Sequence, residues 1–441
     1  MEILISTLVI LLLMFLGMKV FGSFLAGSLL YVLLTGSGQA TVAPLISFSI
    51  NNSALLAVPL FMLAGGLLEI SGIADRLVDF ANVLLRRTKN GMGATIPVAS
   101  MFFGALCGSG TATVAVLGNI LMPKLERMGW PRNYTAALLA ASGPLGYMIP
   151  PNMNAILYSV IANESVSALF LATIIPGILW GLSYVAINRF IAHRWVVKPG
   201  ELTGGDVGTE RERFNTGHYW RDLGGSFWSS IPALMLPVLM MGGIYSGICT
   251  ATEAGAVGCV YALVMGVFAF RKINRKNGLN EFVKAGKSLG SIFIIFPMVM
   301  LFSRFMLIEG VPQLVVQGFT AITENKYVIL ILMNIVLLLA GMFFDASVLT
   351  LVITPLLLPT AAFIGLDAIQ LGVIIFVAIG IGTITPPMAM NLFVVSSIGK
   401  VSIKEMMSPL LPYLLFGALP ILLLVTFVPA VSLWLPALVL K

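Results

Sequence analysis

The sequence predicts an all-α polytopic membrane protein made of two inverted-topology repeats, each with five membrane-spanning helices and one re-entrant helical hairpin. Three observations predict it. The chain is too apolar for a soluble domain, its basic residues fall on one side only if two stretches fold back, and its Pro and Gly positions repeat along the chain.

Of 441 residues, 59% are apolar and 10% are charged, with a mean hydropathy of +1.02. A soluble domain of this length needs far more surface charge, and many apolar runs approach or exceed the roughly 20 residues that span a bilayer core. The formal charge of +7 does not indicate nucleic acid, because the basic residues sit in short loops between apolar runs, where they set membrane orientation. Cys107, Cys249 and Cys259 lie in or beside apolar stretches without metal-ligand spacing, which argues against a disulfide framework. The first run, 3–18, follows Glu2 with no basic residue before it and no small-residue cleavage site after it; it reads as a retained span.

Apolar segments at 3–18, 20–36, 54–73, 134–162, 167–192, 226–246, 253–270, 288–308, 368–397 and 408–430 give ten expected crossings. Two further stretches, 91–122 and 327–360, are rich in Gly, Ser and Thr near their middles. Each has room for two short helices that meet inside the bilayer and return. With an external amino terminus, this layout puts every Lys and Arg except Arg304, Lys326 and Lys441 on the inside, in accord with the positive-inside rule. Counting either stretch as a single crossing destroys the asymmetry. Both termini are then expected outside. The polar stretch 198–222 becomes an inner loop holding His218, with His193 just before it. No histidine remains in the membrane. The segment 73–87 alternates apolar and charged residues at helical spacing, as a helix lying on the inner surface does.

The repeat has a spacing of about 230–238 residues. It aligns Pro123 with Pro359, Gly129 with Gly365, Gly146 with Gly382, Pro150-Pro151 with Pro386-Pro387, and Pro176 with Pro412. Pro59 and Gly72 meet Pro297 and Gly310, and Tyr31 and Gly36 meet Tyr261 and Gly266. Pro and Gly are informative matches because each demands particular backbone geometry. The repeats are 1–215 and 216–441, with the seam in the polar loop. An odd number of crossings per repeat turns the second upside down relative to the first. Inverted repeats with interrupted helices are an architecture of secondary transporters, with sites at the repeat interface.

Each repeat carries two distinctive elements. One is a small-residue hairpin tip: CGSGTATVAVLG (107–118), matched by GMFFDASVLTLVITP (341–355). The other is a broken span: GPLGYMIPPNMN (143–154), matched by GIGTITPPMAMN (380–391). Each proline lacks an amide hydrogen and clashes with the preceding turn, so the helix opens. The freed carbonyls are tolerated only within protein or around a polar cavity. There they suit a hard cation such as sodium, while the following half-helix offers amides and a positive dipole end to an anion. A lone Pro-Pro can simply kink a helix; two copies in register, each with a small-residue hairpin, favour a site. Ser109 and Thr111 can ligate a cation or bond back to their own helix. Asn152, Asn154 and Asn391 can contact substrate or hydrogen-bond between helices. Asp345, opposite Ser109 in the repeat, is either part of a cation site or a hairpin cap. Arg304 is expected to snorkel or to pair with Glu309, and Glu253, at capping-box spacing from Thr250, to start a helix. No metalloprotease motif, phosphate-cradling loop or nucleophile paired with a membrane histidine is present, so the chain does not read as an enzyme.

Together, VPLFMLAGGLLE, SGTATVAVLG, GPLGYMIPPNMNAILY, GICTATEAGAV and IGTITPPMAMNLFV resemble the large membrane subunit of tripartite ATP-independent periplasmic (TRAP) transporters along the full chain. The resemblance implies an elevator architecture of the ion-transporter superfamily in a bacterial inner membrane. It implies a separate small four-helix membrane subunit, a periplasmic substrate-binding protein, and sodium-driven uptake of an organic acid such as a dicarboxylate or sialic acid. It also places sodium at the hairpin tips against the broken spans. By position the first site falls on Ser109, Gly110 and Thr111 with Gly146, Ile149 and Pro150, and the second on Gly341, Asp345 and Ser347 with Gly380, Thr383, Thr385, Pro386 and Met388. Sodium is the one metal implied, no other cofactor is, and the partners are membrane lipid and protein, not nucleic acid. A stand-alone sodium:anion symporter and a non-transporting scaffold are the competing readings.

Overall fold

A computed structural model describes residues 1–36, 42, 44, 46–47, 52–85, 91–195 and 216–440. Arg86, Arg87, Lys89, Lys198, Arg211, Arg213, Lys441, and the seam of the repeat with most of its polar loop lie outside the described residues. The described chain is helical. The first half runs α1 (Glu2–Phe15), α2 (Val20–Thr35), α3 (Ala57–Ile70), α4 (Ile73–Leu85), α5 (Gly91–Cys107), α6 (Gly110–Arg127), α7 (Arg132–Ser142), α8 (Leu145–Met148), α9 (Met153–Ala162) and α10 (Val166–Ile191). The second half runs α11 (Thr216–Tyr245), α12 (Ala251–Val264), α13 (Arg275–Ile308), α14 (Val311–Ile322), α15 (Lys326–Gly341), α16 (Ala346–Phe363), α17 (Ala368–Gly382) and α18 (Met390–Gly399). It closes with α19 (Ile403–Tyr413), which continues through a π turn into α20 (Leu419–Phe427), and with α21 (Ala430–Val439).

Local sequence explains where these helices begin. Thr250 and Glu253 form the expected capping box at the head of α12, with Glu253 N–H donating to Thr250 Oγ1 at 3.2 Å and Thr250 N–H to Glu253 Oε2 at 2.8 Å. Ser165 and Asp367 cap α10 and α17. The break between α3 and α4 turns the chain by 75°, which carries the amphipathic α4 away from the direction of α3.

Both interrupted stretches fold back on themselves. Lys326, heading α15, donates to the Gly365 carbonyl just past α16 at 3.2 Å, so the two ends of that stretch are side by side. In the first half, a Cβ on Gly93 near the start of α5 would lie 2.5 Å from the ring of Trp130, just past the end of α6. Among the described residues, six helices are each long and apolar enough to cross a bilayer. One is Ala346–Phe363, expected as a hairpin arm; its 18 residues suffice to cross by length, and its carboxyl end lies beside the head of α15. The layout differs from expectation at the carboxyl end too. The last span stops at Phe427, and Pro429 starts α21, which packs back against α10 and α17.

The two halves have the same order of elements, and their left-handed residues recur. Gly17 and Gly247, Gly72 and Gly310, Gly129 and Gly365, and Asn163 and Lys400 all have positive φ, at matching places in the two halves. Packing is reciprocal: α2 lies on α13 as α12 lies on α3, and α18 lies on α6 as α9 lies on α16. Residues assigned to one side of the membrane meet one another, as the charge layout requires. Lys124 pairs with Asp79 at 3.2 Å, Lys284 with Glu69 at 3.6 Å and Glu281 at 3.4 Å, and Lys272 with Asp75 at 3.8 Å. At the other face Tyr31 Oη donates to Glu309 Oε1 at 2.6 Å. Glu309 therefore faces Tyr31 and not Arg304, which is exposed as snorkelling requires.

Candidate functional site

Both predicted breaks are present. Pro150 and Pro151 deny an amide hydrogen to the carbonyls of Gly146 and Tyr147 four residues earlier, and Pro386 and Pro387 do the same for Gly382 and Thr383. The chain responds in both places by ending its helix and restarting it, at Asn152 before α9 and at Ala389 before α18. In the second break the Gly382 carbonyl accepts Thr385 N–H at 3.0 Å and the Thr383 carbonyl accepts Asn391 N–H at 3.1 Å, across the Pro-Pro turn.

Each hairpin turn is pressed against a break. In the first half a Cβ on Gly104 would lie 2.6 Å from Gly146 Cα, and one on Gly110 would lie 2.8 Å from the Gly143 carbonyl. Gly146 in turn faces Thr113 Oγ1, and Ile149 packs its Cδ1 where a Cβ on Gly177 would be 2.7 Å away. Ser109 caps α6, accepting from Ala112 N–H at 3.4 Å, and its hydroxyl lies 3.3 Å from that of Thr111. Thr113 Oγ1 donates to the Ser109 carbonyl at 2.7 Å and lies 3.4 Å from Cys107 Sγ. In the second half Gly341 and Gly382 meet backbone to backbone, and Met388 N–H donates to the Met342 carbonyl in the hairpin turn at 3.1 Å. Asp345 caps α16, accepting from Ser347 N–H at 3.0 Å. Thr383 and Thr385 donate to the carbonyls of Gly380 and Ile381 at 2.8 and 2.7 Å.

The structure brings the turn that holds Ser109, Gly110 and Thr111 against Gly143 and Gly146, and the turn that follows Gly341 against Gly382 and Met388; Ile149 instead faces Gly177, Gly380 faces Tyr147 and Trp180, and Asp345 and Ser347 bond to each other at the head of α16. The asparagines are deeper than a surface contact implies. Asn152 caps α9, its Oδ1 accepting from Asn154 N–H at 2.9 Å, and its Nδ2 is buried without a partner. Asn154 is buried in the first turn of the same helix. Asn391 donates from Nδ2 to Thr383 Oγ1 at 3.2 Å, and its Oδ1 is buried without a partner. Sequence reasoning missed Thr113, Tyr147 and Gly104. The first two carried a signal: a hydroxyl one turn after Ser109, and a phenol inside the Gly-x-x-x-Pro-Pro motif. Hydroxyls, carboxylate and proline-freed carbonyls are hard oxygen donors, which fit sodium. Among the described residues no group of His, Cys, Asp and Glu could hold another metal ion.

Helices of this length, hairpins turned onto broken helices, and buried polar atoms at the crossings define a polytopic membrane transporter. Solved structures with this fold are the *Alcanivorax borkumensis* YdaH transporter, 17% identical with a TM-score of 0.59 over 87% of this chain and 86% of that one, and *Neisseria gonorrhoeae* MtrF, 13% identical with a TM-score of 0.63 over 88% and 83%. The family description "Tripartite ATP-independent periplasmic transporter, DctM component" matches residues 7–431, and the chain belongs to that family. Similar relatives are the C4-dicarboxylate TRAP transporter large permease protein DctM of *Pseudomonas aeruginosa*, 33% identical over 93% of both chains, and the sialic acid TRAP transporter large permease protein SiaM of *Vibrio cholerae*, 33% identical over 97% of this chain and 96% of that one. The isethionate TRAP transporter permease protein DctMQ of *Oleidesulfovibrio alaskensis* is 33% identical; the match covers 89% of this chain but only 60% of that protein.

Proposed function

We propose that this chain is the large permease subunit of a sodium-coupled transporter that imports an organic acid across a bacterial inner membrane. A small four-helix membrane subunit completes the permease, and a periplasmic binding protein delivers the substrate. Two inverted repeats carry the substrate across by an elevator movement, with both termini outside. The observation that carries this reading is the doubled hairpin–break contact, in which the chain around each hairpin turn packs on a helix that a Pro-Pro pair interrupts. Ser109 to Thr111 with Gly146 to Pro150 would hold one sodium ion, and Gly341 to Ser347 with Gly380 to Met388 a second. The cations supply positive charge beside the half-helix amino termini of α9 and α18, where a carboxylate is then favoured. The dicarboxylate, sialic acid and isethionate named for relatives are all organic anions, and the amides of Asn152, Asn154 and Asn391 suit an anion's oxygens.

The test is reconstitution with the small subunit in liposomes, with labelled dicarboxylates and sialic acid offered under an inward sodium gradient. Uptake that needs both sodium and the binding protein supports the proposal. Uptake without the binding protein supports the stand-alone symporter, and sodium-dependent uptake unchanged by Asp345→Asn with Pro386→Ala and Pro387→Ala supports the scaffold.

A further inference from the structure

The two breaks do not only face their own hairpins; they also seat on each other. A Cβ on Gly380, in the second break, would lie 2.7 Å from Tyr147 Oη and 3.0 Å from Pro144 Cβ, both in the first break. A Cβ on Gly143, in the first break, would lie 2.8 Å from Asn391 Cγ, just beyond the second. Each half therefore leaves a bare glycine where the other half inserts a polar side chain. The contact continues through hydrogen bonds. Asn391 Nδ2 donates to Thr383 Oγ1 at 3.2 Å, and Thr383 Oγ1 donates to the Gly380 carbonyl at 2.8 Å, beneath Tyr147. Asn391 N–H also holds the Thr383 carbonyl at 3.1 Å. Among the described residues Asn391 Oδ1 is buried with no hydrogen-bond partner, a costly state, and the Tyr147 phenol, also buried, sits beside the Thr383 side chain.

We propose that Tyr147 and Asn391 are positioning residues that couple the two cation sites, so that filling one raises the affinity of the other. This rests on the sodium-coupled reading above. Tyr147 sits between Gly146 and Ile149, so a cation drawing on carbonyls there fixes the backbone that aims its ring at Gly380. A cation at the second break fixes Gly380 and Thr383, and through Asn391 the position of Gly143. Each ion finds its site closer to the bound geometry once the other has bound, which is a coupling free energy and is reciprocal.

The experiment is a sodium chloride titration of the purified protein, with choline chloride holding ionic strength, followed by intrinsic tryptophan fluorescence. Trp180 is a useful reporter, because a Cβ on Gly380 would lie 2.8 Å from its ring. The natural chain is expected to titrate with a Hill coefficient above one. Asn391→Ala is expected to bring the coefficient toward one and to raise half-saturation about fivefold or more, the lower end for coupled sites. Tyr147→Phe keeps the ring and removes the hydroxyl seated on Gly380, and is expected to flatten the curve to a lesser degree; it stands as the test should Asn391→Ala fail to fold. A natural chain with a coefficient of one, or folded variants that keep its steepness and half-saturation, overturns the coupling alone. A natural chain with no sodium response overturns the sodium-coupled reading as well.

Discussion

Replacing Gly382 by alanine adds one methyl group where the second break touches the second hairpin. That methyl would collide with the carbonyl oxygen and carbon of Gly341 and come within 2.7 Å of its Cα. All three are backbone atoms, so no rotamer change relieves the clash. The hairpin must move away from the break, and the Met388 to Met342 hydrogen bond spans that same contact. Overpacking of this kind costs about 1–3 kcal/mol, against a gain of about 0.5–1 kcal/mol from exchanging Gly for Ala in a helix. If the strain falls on the cation-competent conformation, sodium affinity drops by about 5- to 150-fold, at tenfold per 1.4 kcal/mol. Gly318 in α14 is the control, because a Cβ there meets nothing within 4 Å; the same chemical change should leave sodium affinity alone and raise stability. Thermal melts and sodium titrations of both variants measure this. A Gly382→Ala protein that melts and binds sodium as the natural chain does would refute the close-contact argument.

Three further outcomes are expected. Burial, and then the nearby Asp367 carboxylate, push the Glu164 carboxyl above its ordinary value of 4.5. A raised folded pKa gives a contribution that is present below the unfolded pKa and lost as pH rises through the folded value, so Glu164→Gln should raise the melting temperature at neutral pH and lose that advantage below about 4.5. Tyr134→Phe removes a buried hydroxyl that meets Tyr413 Oη at 2.6 Å and donates to Asn188 Oδ1 at 2.9 Å; with these two hydrogen bonds lost, the melt should report a loss of about 1–3 kcal/mol. With the native cysteines replaced, single cysteines at Glu324 and Phe363 should react with an impermeant thiol reagent from the periplasmic side and one at Met128 only from the other. Labelling of Glu324→Cys and Phe363→Cys from opposite sides would contradict the fold-back of α15 and α16.

The breaks and the hairpins were legible because proline and glycine act locally: Pro150-Pro151 and Pro386-Pro387 must open a helix in any fold. The helix at Ile73–Leu85 was legible because its apolar and charged residues alternate at helical spacing. What the sequence hid is which helix faces meet. In a bilayer the hydrocarbon is as apolar as leucine, so burial does not mark the buried face, and close approach depends on small residues whose partners lie far away. Gly380 and Tyr147 are such a pair, as are Gly143 and Asn391. Hydropathy likewise could not distinguish Ala346–Phe363 as a crossing from the same residues as a hairpin arm. Lys326 meeting Gly365 shows that α15 and α16 fold back on each other, not how deep the turn lies.

The two halves of the chain are not separate domains. A domain has its own core, yet one buried cluster here joins Leu145, Tyr147 and Trp180 of the first half to Ile379, Ile381 and Leu392 of the second. The helix leaving each break is packed by a hairpin arm of the opposite half, α18 by α6 and α9 by α16. Each hairpin turn meets the break of its own half, while the helix that continues from that break is held by the other half. The second half thus packs the helix that leaves the first break, and the reverse. Halves joined this way share one core and do not fold as separate domains. Neither break can change shape without moving a residue of the other.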